Sequence, residues 1–251
     1  MLARDLSFSL DAALFMERCG IAPDPWQSRL LRSTSKNSLL LCSRQAGKST
    51  STAALAVHTA VYDPGSLTLL FAPSQRQSQE LFRKVAEAYR FIDPMPLEQE
   101  SLSRLELPNG SRVVSLPATP ESIRGFSAPK LIILDEAAFV GDDLFEAVLP
   151  MLAVSNGRLI GMSSANGKQG WFYRAWTDGG PLWERIMVTA YDIPRISADF
   201  LNRQRAIMPD AKFRREYLCE FGDSDDAVFQ SALVRSALSR DVFPLRQGVA
   251  W

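Results

Sequence analysis

The chain has 251 residues, 46% of them hydrophobic, and its 28 lysines and arginines balance 28 aspartates and glutamates. At roughly 100–200 residues per domain this is one large domain or one with a small appendage, and the composition excludes a disordered or low-complexity chain. Zero net charge argues against coating nucleic acid by bulk charge, while leaving room for a local basic strip.

In chain order, residues 8–19 read as a short amphipathic helix that Pro23 and Pro25 break, and Trp26–Leu31 as a second. The apolar run Ser38–Cys42 reads as a buried strand. A polar turn, Ser43–Lys48, leads into Ala-rich Ser49–Val61, whose apolar residues recur at helical spacing. Leu67–Ala72 is the next strand, ended by Pro73, and Gln75–Tyr89 has helical periodicity. Leu102–Leu107 and Arg112–Leu116 flank Pro108-Asn109-Gly110 and predict a hairpin. Leu131–Leu134 is a third core strand, Leu144–Leu152 a helix, Arg158–Ser163 a fourth strand and Ile186–Ala190 a fifth. The alternation predicts an α/β fold with a mostly parallel sheet sandwiched by helices.

From residue 195 the character changes. Arg195–Arg215 holds six basic and two acidic residues, whereas Glu216–Asp226 holds five acidic and no basic ones. The division expected is therefore a core over 1–194 and a small C-terminal lobe over 195–251.

Several chemistries are disfavoured. Stretches such as Ala53–Val57 and Leu131–Leu134 fall far short of the ~18 apolar residues of a membrane span. The N-terminus, with Arg4 and Asp5, does not read as a secretory signal. Cys19, Cys42 and Cys219 are odd in number and widely spaced, which suggests reduced thiols of a cytosolic protein. With His58 the only histidine and no CxxC, neither zinc nor a Ser-His-Asp site is expected, and His58 reads as packing.

The strongest signal is Ser43-Arg44-Gln45-Ala46-Gly47-Lys48-Ser49-Thr50. It matches the end of the phosphate-binding pattern G-x-x-x-x-G-K-[ST] between a strand and a helix, with Cys42 in place of the first glycine. Amide groups at a helix N-terminus hold phosphate oxygens. Lys48 is placed to reach the β- and γ-phosphates of ATP and the Ser49 hydroxyl to ligate Mg²⁺.

The second signal lies 87 residues beyond Lys48, where the strand Leu131–Leu134 runs into Asp135-Glu136. Asp135 at the carboxyl end of a core strand can hold Mg²⁺ through water, and Glu136 can polarise the water that attacks the γ-phosphorus. In an open α/β sheet, ligands sit along this edge. Gln27, after Pro25-Trp26, is a candidate reader of the adenine edge. Ser163-Ser164-Ala165-Asn166 follows a core strand parallel to the Asp-Glu strand and can contact the γ-phosphate or its water. Arg44 can swing onto the γ-phosphate or pair with Glu136. Arg124, eleven residues before Asp135, is placed to enter a neighbouring subunit's site and neutralise developing charge.

With both motifs placed, the sequence resembles the ATPase domain of a tailed-phage terminase large subunit, a RecA-like P-loop NTPase of the ASCE type. The matching words are Pro25-Trp26-Gln27, SRQAGKST at 43–50, APSQRQSQELFRKV at 72–85, SIRGFSAPKLIILDEAAFV at 122–140, MSSANGKQGWFYRAW at 162–176 and REYLCEFGD at 215–223. The resemblance implies that Gln27 contacts adenine and that Ser43–Thr50 cradle the phosphates, with Arg44 acting within its own subunit. It implies Asp135 and Glu136 as the Walker B pair, Ser163–Asn166 as the coupling motif and Arg124 as a trans-acting arginine. It implies a homo-oligomeric ring, typically of five, on a portal protein, driving double-stranded DNA into a procapsid in the cytoplasm of an infected bacterium. A small terminase subunit presents the DNA.

Such proteins usually continue into an RNase H-like nuclease. Only 25 residues follow Asp226, so no nuclease activity is expected of this chain, and Asp223, Asp225 and Asp226 read as a solvated linker. Two alternatives stand beside the motor: another RecA-like ATPase such as a helicase, or an inactive prophage relic acting as a scaffold.

Overall fold

A computed structural model describes residues 2–92 and 96–222, with Ala237 beyond them. The acidic trio Asp223, Asp225 and Asp226 lies outside the described residues. Three short helices lead in: α1 (Leu2–Leu10), α2 (Ala12–Arg18) and α3 (Pro25–Arg32). The stretch 8–19 is thus two helices, divided at Asp11, whose backbone is extended and whose carboxylate accepts from the amides of Ala13 and Leu14. A short acidic side chain satisfies the free amides of a helix start better than it serves a helix interior.

Strands and helices then alternate: β1 (Asn37–Cys42), α4 (Lys48–Tyr62), β2 (Leu67–Ala72) and α5 (Gln75–Phe91). The short strands β3 (Gln99–Glu100) and β4 (Arg104–Glu106) precede β5 (Arg112–Pro117). They are followed by β6 (Leu131–Asp135), α6 (Asp142–Ser155), β7 (Arg158–Ser163), α7 (Gly170–Thr177), β8 (Glu184–Val188), α8 (Ala198–Ile207) and α9 (Asp210–Leu218).

The strands form one sheet in the order β3-β4-β5-β2-β6-β7-β1-β8. From β5 to β8 every pairing is parallel, and β3, β4 and β5 meander antiparallel at one end. The expected hairpin forms between β4 and β5, with Leu105 opposite Val113.

Parallel strands covered on both faces read as continuous apolar runs, and the side chains here divide strictly by alternation. Leu40 and Cys42 of β1, Ile133 of β6 and Ile160 of β7 face one core, under α2, α3, α4 and α5. Leu39, Leu41, Ile132, Leu134 and Leu159 face the other, under α6 and α7. Ala53, Ala54, Ala56 and Ala60 are buried along α4, and their small side chains let that helix settle on the sheet. On the opposite face Trp171 stacks on Phe145 with ring centroids 4.1 Å apart and donates its indole N–H to the Val140 carbonyl at 3.1 Å. Gly161 of β7 makes room for that indole, since a Cβ there would stand 2.9 Å from Trp171.

His58 packs edge-on to Phe15 at 5.4 Å and its Nε2 meets the Phe8 carbonyl at 3.0 Å. The packing role read from the sequence is the one it has. All three cysteines are free and buried. Among the described residues no helix is long and apolar enough to cross a membrane.

Candidate active site

β1 delivers the chain to a loop over residues 43–47 whose backbone turns left-handed twice, at Gln45 (φ 61°) and at Gly47 (φ 90°). Successive amides in such a turn point into one concavity, which suits an anion. Gly47 is required there for two reasons. Its φ is costly for an L side chain, and a Cβ would lie 2.9 Å from the Gln27 amide nitrogen. α4 starts at Lys48.

Register does the rest. Leu41 of β1 lies beside Ser163 of β7, and Met162 of β7 lies beside Asp135 of β6. The carboxyl ends of three strands are therefore level, and the residues at and just beyond those ends meet. Lys48 Nζ lies 3.1 Å from Glu136 Oε1. Ser163 Oγ donates to the other Glu136 oxygen at 3.4 Å, and Ser49 Oγ donates to Asp135 Oδ2 at the same distance. Glu136 is itself left-handed (φ 47°), a conformation non-glycine residues hold chiefly where surrounding structure imposes it. It turns the chain from β6 into a 3₁₀ turn over Ala137–Phe139.

Lys48 and Asp135 are largely buried, whereas Glu136 is partly exposed. Lys48 is 8% exposed, so its ammonium depends on Glu136 for compensation. Burial, and then the neighbouring Glu136 carboxylate, push Asp135 up to about 6, with Lys48 pulling the other way. A buried carboxyl held reluctant to ionise gains from a cation. An alcohol and a carboxylate oxygen are hard donors of the kind Mg²⁺ takes. That ion keeps several waters and uses one or two protein oxygens beside substrate phosphates, so the donor set fits it. Among the described residues no group of three His, Cys, Asp or Glu side chains forms a dedicated metal cage.

A cavity of about 780 Å³ opens over this edge, lined by Arg44, Gln45, Lys48, Glu136, Asn166 and, from the C-terminal segment, Glu216 and others. Within the loop, Ser43 and Ala46 are buried. Gln27 sits behind it, its amide nitrogen donating to the Gly47 carbonyl at 3.2 Å and its oxygen accepting from the Asp24 amide at 2.8 Å. Asn166 donates to the Ala138 carbonyl at 3.4 Å.

Three predicted residues are placed otherwise than at the Lys48–Glu136 pair. Arg44 pairs with Glu216 of α9 rather than with Glu136, because Lys48 already occupies Glu136. Thr50 lines a separate cavity with Cys19, Ile21, Lys84 and Phe91. Arg124 is exposed on the turn 120–125, outside the cavity lining.

The sequence reading missed Asp24, Arg195 and Glu216. Arg195 bridges the Asp24 carboxylate at 2.9 Å and the Ala46 carbonyl at 3.2 Å, tying the start of the C-terminal segment to the loop and to α3. Asp24 and Gln27 had a local signal, the three-residue spacing of a helix-start box. Arg195 had none, and Glu216 fell within the matching word at 215–223 without an assigned role, each being over 140 residues from its partner. In the basic stretch, Arg203, Arg205 and Lys212 are exposed, and Arg214 pairs with Glu220 at 2.6 Å.

A RecA-like sheet with a phosphate loop after β1 and a carboxylate pair after β6 defines a nucleotide-binding fold, and similarity to known proteins narrows it. The family described as terminase large subunit, T4likevirus-type, N-terminal, matches residues 39–235, and the chain belongs to that family. It is 27% identical over 253 residues to the terminase large subunit of Thermus virus P23-45, covering 86% of this chain and 52% of that protein. The chain thus spans about half the length of the curated relatives it matches. The structure is similar to the large terminase ATPase domain of Thermus phage P74-26, with a TM-score of 0.73, 26% identity, and coverage of 83% of this chain and 97% of that one. The large terminase of bacteriophage HK97 shares the fold, with a TM-score of 0.69 at 18% identity over 85% of this chain and 55% of that one.

Proposed function

We propose that this chain is the ATP-hydrolysing motor part of a DNA-packaging terminase, translocating double-stranded viral DNA into a procapsid. The observation that carries the reading is the meeting of Lys48 with Glu136 at 3.1 Å, beside Ser49 and Asp135 at 3.4 Å, on the carboxyl edge of a parallel sheet. Membership of the terminase family and likeness to a domain described as an ATPase support it.

In this reading the amides of residues 43–47 and Lys48 hold the β- and γ-phosphates, and Gln27 reaches the adenine edge only by releasing the Gly47 and Asp24 backbone groups it holds in the present structure. Ser49 and Asp135 would hold Mg²⁺, which when bound would supply positive charge against the phosphates. Once a γ-phosphate draws Lys48 away, Glu136 is free to orient a water and accept its proton. Ser163 holds the far Glu136 oxygen, so the carboxylate keeps its aim as Lys48 leaves. Arg44 supplies positive charge from its own subunit and Arg124 from a neighbour in a homo-oligomeric ring, typically of five. The described part of the C-terminal lobe, residues 195–222, acts as a lid on the 1–194 core, and Arg195 ties it to the phosphate loop.

The same proposal includes a wider setting: a portal protein under the ring, a small terminase subunit presenting DNA, and the host cytoplasm as the site of action. The exposed arginines and Lys212 of the C-terminal segment touch either DNA phosphates or the neighbouring subunit. Phosphate contacts carry no base information, so translocation is indifferent to sequence.

The test is Mg²⁺-dependent ATP turnover against protein concentration, with Glu136→Gln beside the parent. Turnover per subunit that rises with concentration and disappears in Glu136→Gln supports a motor with shared sites. Equal rates in parent and variant refute catalysis by this chain alone. Strand-displacement activity would favour a helicase instead.

A further inference from the structure

Glu216 has no part in the chemistry above, yet it is tied to the phosphate loop by side chain and backbone together. It lies on α9, 172 residues from Arg44. Its carboxylate accepts from Arg44 Nε and, at 3.3 Å, from Arg44 Nη2. Its carbonyl also accepts the Arg44 backbone N–H at 3.3 Å. Both residues line the cavity that holds Lys48 and Glu136.

The two partners differ in freedom. The Glu216 side chain is 12% exposed and the Arg44 side chain 70%. The chain after Glu216 is fixed by its neighbours: Cys219 Sγ donates to the Val188 carbonyl at 3.2 Å, and the Gly222 amide to the Asn166 carbonyl at 3.1 Å. The carboxylate is the anchored member and the guanidinium the one able to turn. A guanidinium fork fits a carboxylate and a phosphate equally well, so the same arginine has two suitors in one cavity.

Resting on the nucleotide-site reading, we propose that Glu216 is a positioning residue that competes with the γ-phosphate of ATP for Arg44. It holds the guanidinium while the site is empty or contains ADP, and yields it when a third phosphate arrives. ATP binding then breaks an ion pair that ADP binding leaves intact. Glu216 thereby lowers affinity for triphosphate relative to diphosphate, and it recaptures Arg44 after cleavage.

The experiment is calorimetric titration of ADP and of ATPγS, with Mg²⁺, into the full chain and into Glu216→Gln, Arg44→Gln and the double variant, each checked by thermal melting. Glu216→Gln is expected to tighten ATPγS roughly two- to fivefold, the range a partly exposed ion pair supports, and to leave ADP unchanged. In the Arg44→Gln background the same change should alter neither. Where Glu216→Gln fails to fold, Glu216→Asp keeps the charge, withdraws the carboxylate by one methylene and should show the same selective gain. Equal shifts for both nucleotides, weaker ATPγS binding, or an effect that survives Arg44→Gln would reduce Glu216 to a structural staple and overturn the proposal. A parent that binds neither nucleotide would instead overturn the nucleotide-site reading on which the proposal rests.

Discussion

Lys48 and Glu136 meet at 3.1 Å although their strands, β1 and β6, are not neighbours. β7 runs between them, and its last residue, Ser163, donates to the same Glu136 carboxylate. One carboxylate is thus held by two groups from two directions. In the proposed mechanism a γ-phosphate competes for Lys48 alone, so Glu136 gains freedom to act as a base without losing its orientation.

Glu136→Gln keeps the shape and the Ser163 contact but removes the basic oxygen. Turnover should fall roughly 10²–10⁴-fold, the usual worth of a positioned general base, with KM for ATP changed little. Lys48→Ala should instead weaken triphosphate binding as well, since it removes a phosphate contact and leaves Glu136 half-buried without its cation. Steady-state kinetics over a range of ATP concentrations separates the two, and a rise in KM as large as the fall in kcat for Glu136→Gln would contradict the assignment.

Asp135 gives a prediction about stability. Its carboxyl sits at about 6, pushed up by burial and by Glu136, whereas an unfolded aspartate titrates near 4. The folded protein therefore binds more protons than the unfolded one between those values, and in the nucleotide-free protein this group's contribution to stability falls as pH rises through that window. Above it the folded state carries a buried charge the unfolded state does not. Asp135→Asn removes that charge and retains an oxygen for the Glu136 amide, which now donates to Asp135 Oδ1 at 2.9 Å. Thermal melts without nucleotide or Mg²⁺ should show the variant stabilised by about 1–3 kcal/mol at pH 7.5, with the gain shrinking towards pH 4.5, while Mg²⁺-dependent turnover is lost. A variant less stable than the parent at pH 7.5 would refute the electrostatic account.

The Trp171 stack tests the core under α7. Trp171→Ala empties a site walled by Phe145, Phe172 and Trp183 and should cost about 3–5 kcal/mol. Gly161→Ala approaches the same indole from beneath and meets Leu39 at 3.2 Å as well, so about 1–3 kcal/mol is expected from overpacking. Combined, the new methyl enters the space the indole vacated. Denaturant melts of both single variants and the double should show less than additive loss, and strict additivity would place the two residues in separate packing units.

The strands were legible because buried parallel strands leave apolar runs that proline and glycine bound. β2 and β7 fall at Leu67–Ala72 and Arg158–Ser163, as read from the sequence. Lys48, Asp135 and Glu136 were legible because each follows such a run within a few residues. α8 and α9 were not, since each buries few side chains, chiefly Leu201 and Phe213, and a helix with so narrow an apolar stripe reads as a charged stretch. Glu216 and Arg195 were invisible for another reason. Their partners, Arg44 and Ala46 in the phosphate loop and Asp24 at the start of α3, lie far away in sequence, and only the folded sheet brings them together.

Arg124 supplies the sharpest test of assembly. It is exposed on the turn 120–125, so Arg124→Ala should leave the thermal melt unchanged while lowering turnover by roughly 10³-fold or more, the scale of a charge-neutralising arginine in phosphoryl transfer. A residue acting on its own subunit and one acting on a neighbour then differ in a mixing experiment. Glu136→Gln subunits retain Arg124, and Arg124→Ala subunits retain Glu136. Where the two sit side by side, the Arg124→Ala subunit's site receives the arginine of its Glu136→Gln neighbour and becomes complete. Mixed at a total concentration where the parent shows cooperative turnover, the two inactive variants should recover a measurable fraction of parental activity that is absent from either alone. Mixtures as inactive as their components would place Arg124 outside the neighbour's site and leave Arg44 as the arginine that serves it.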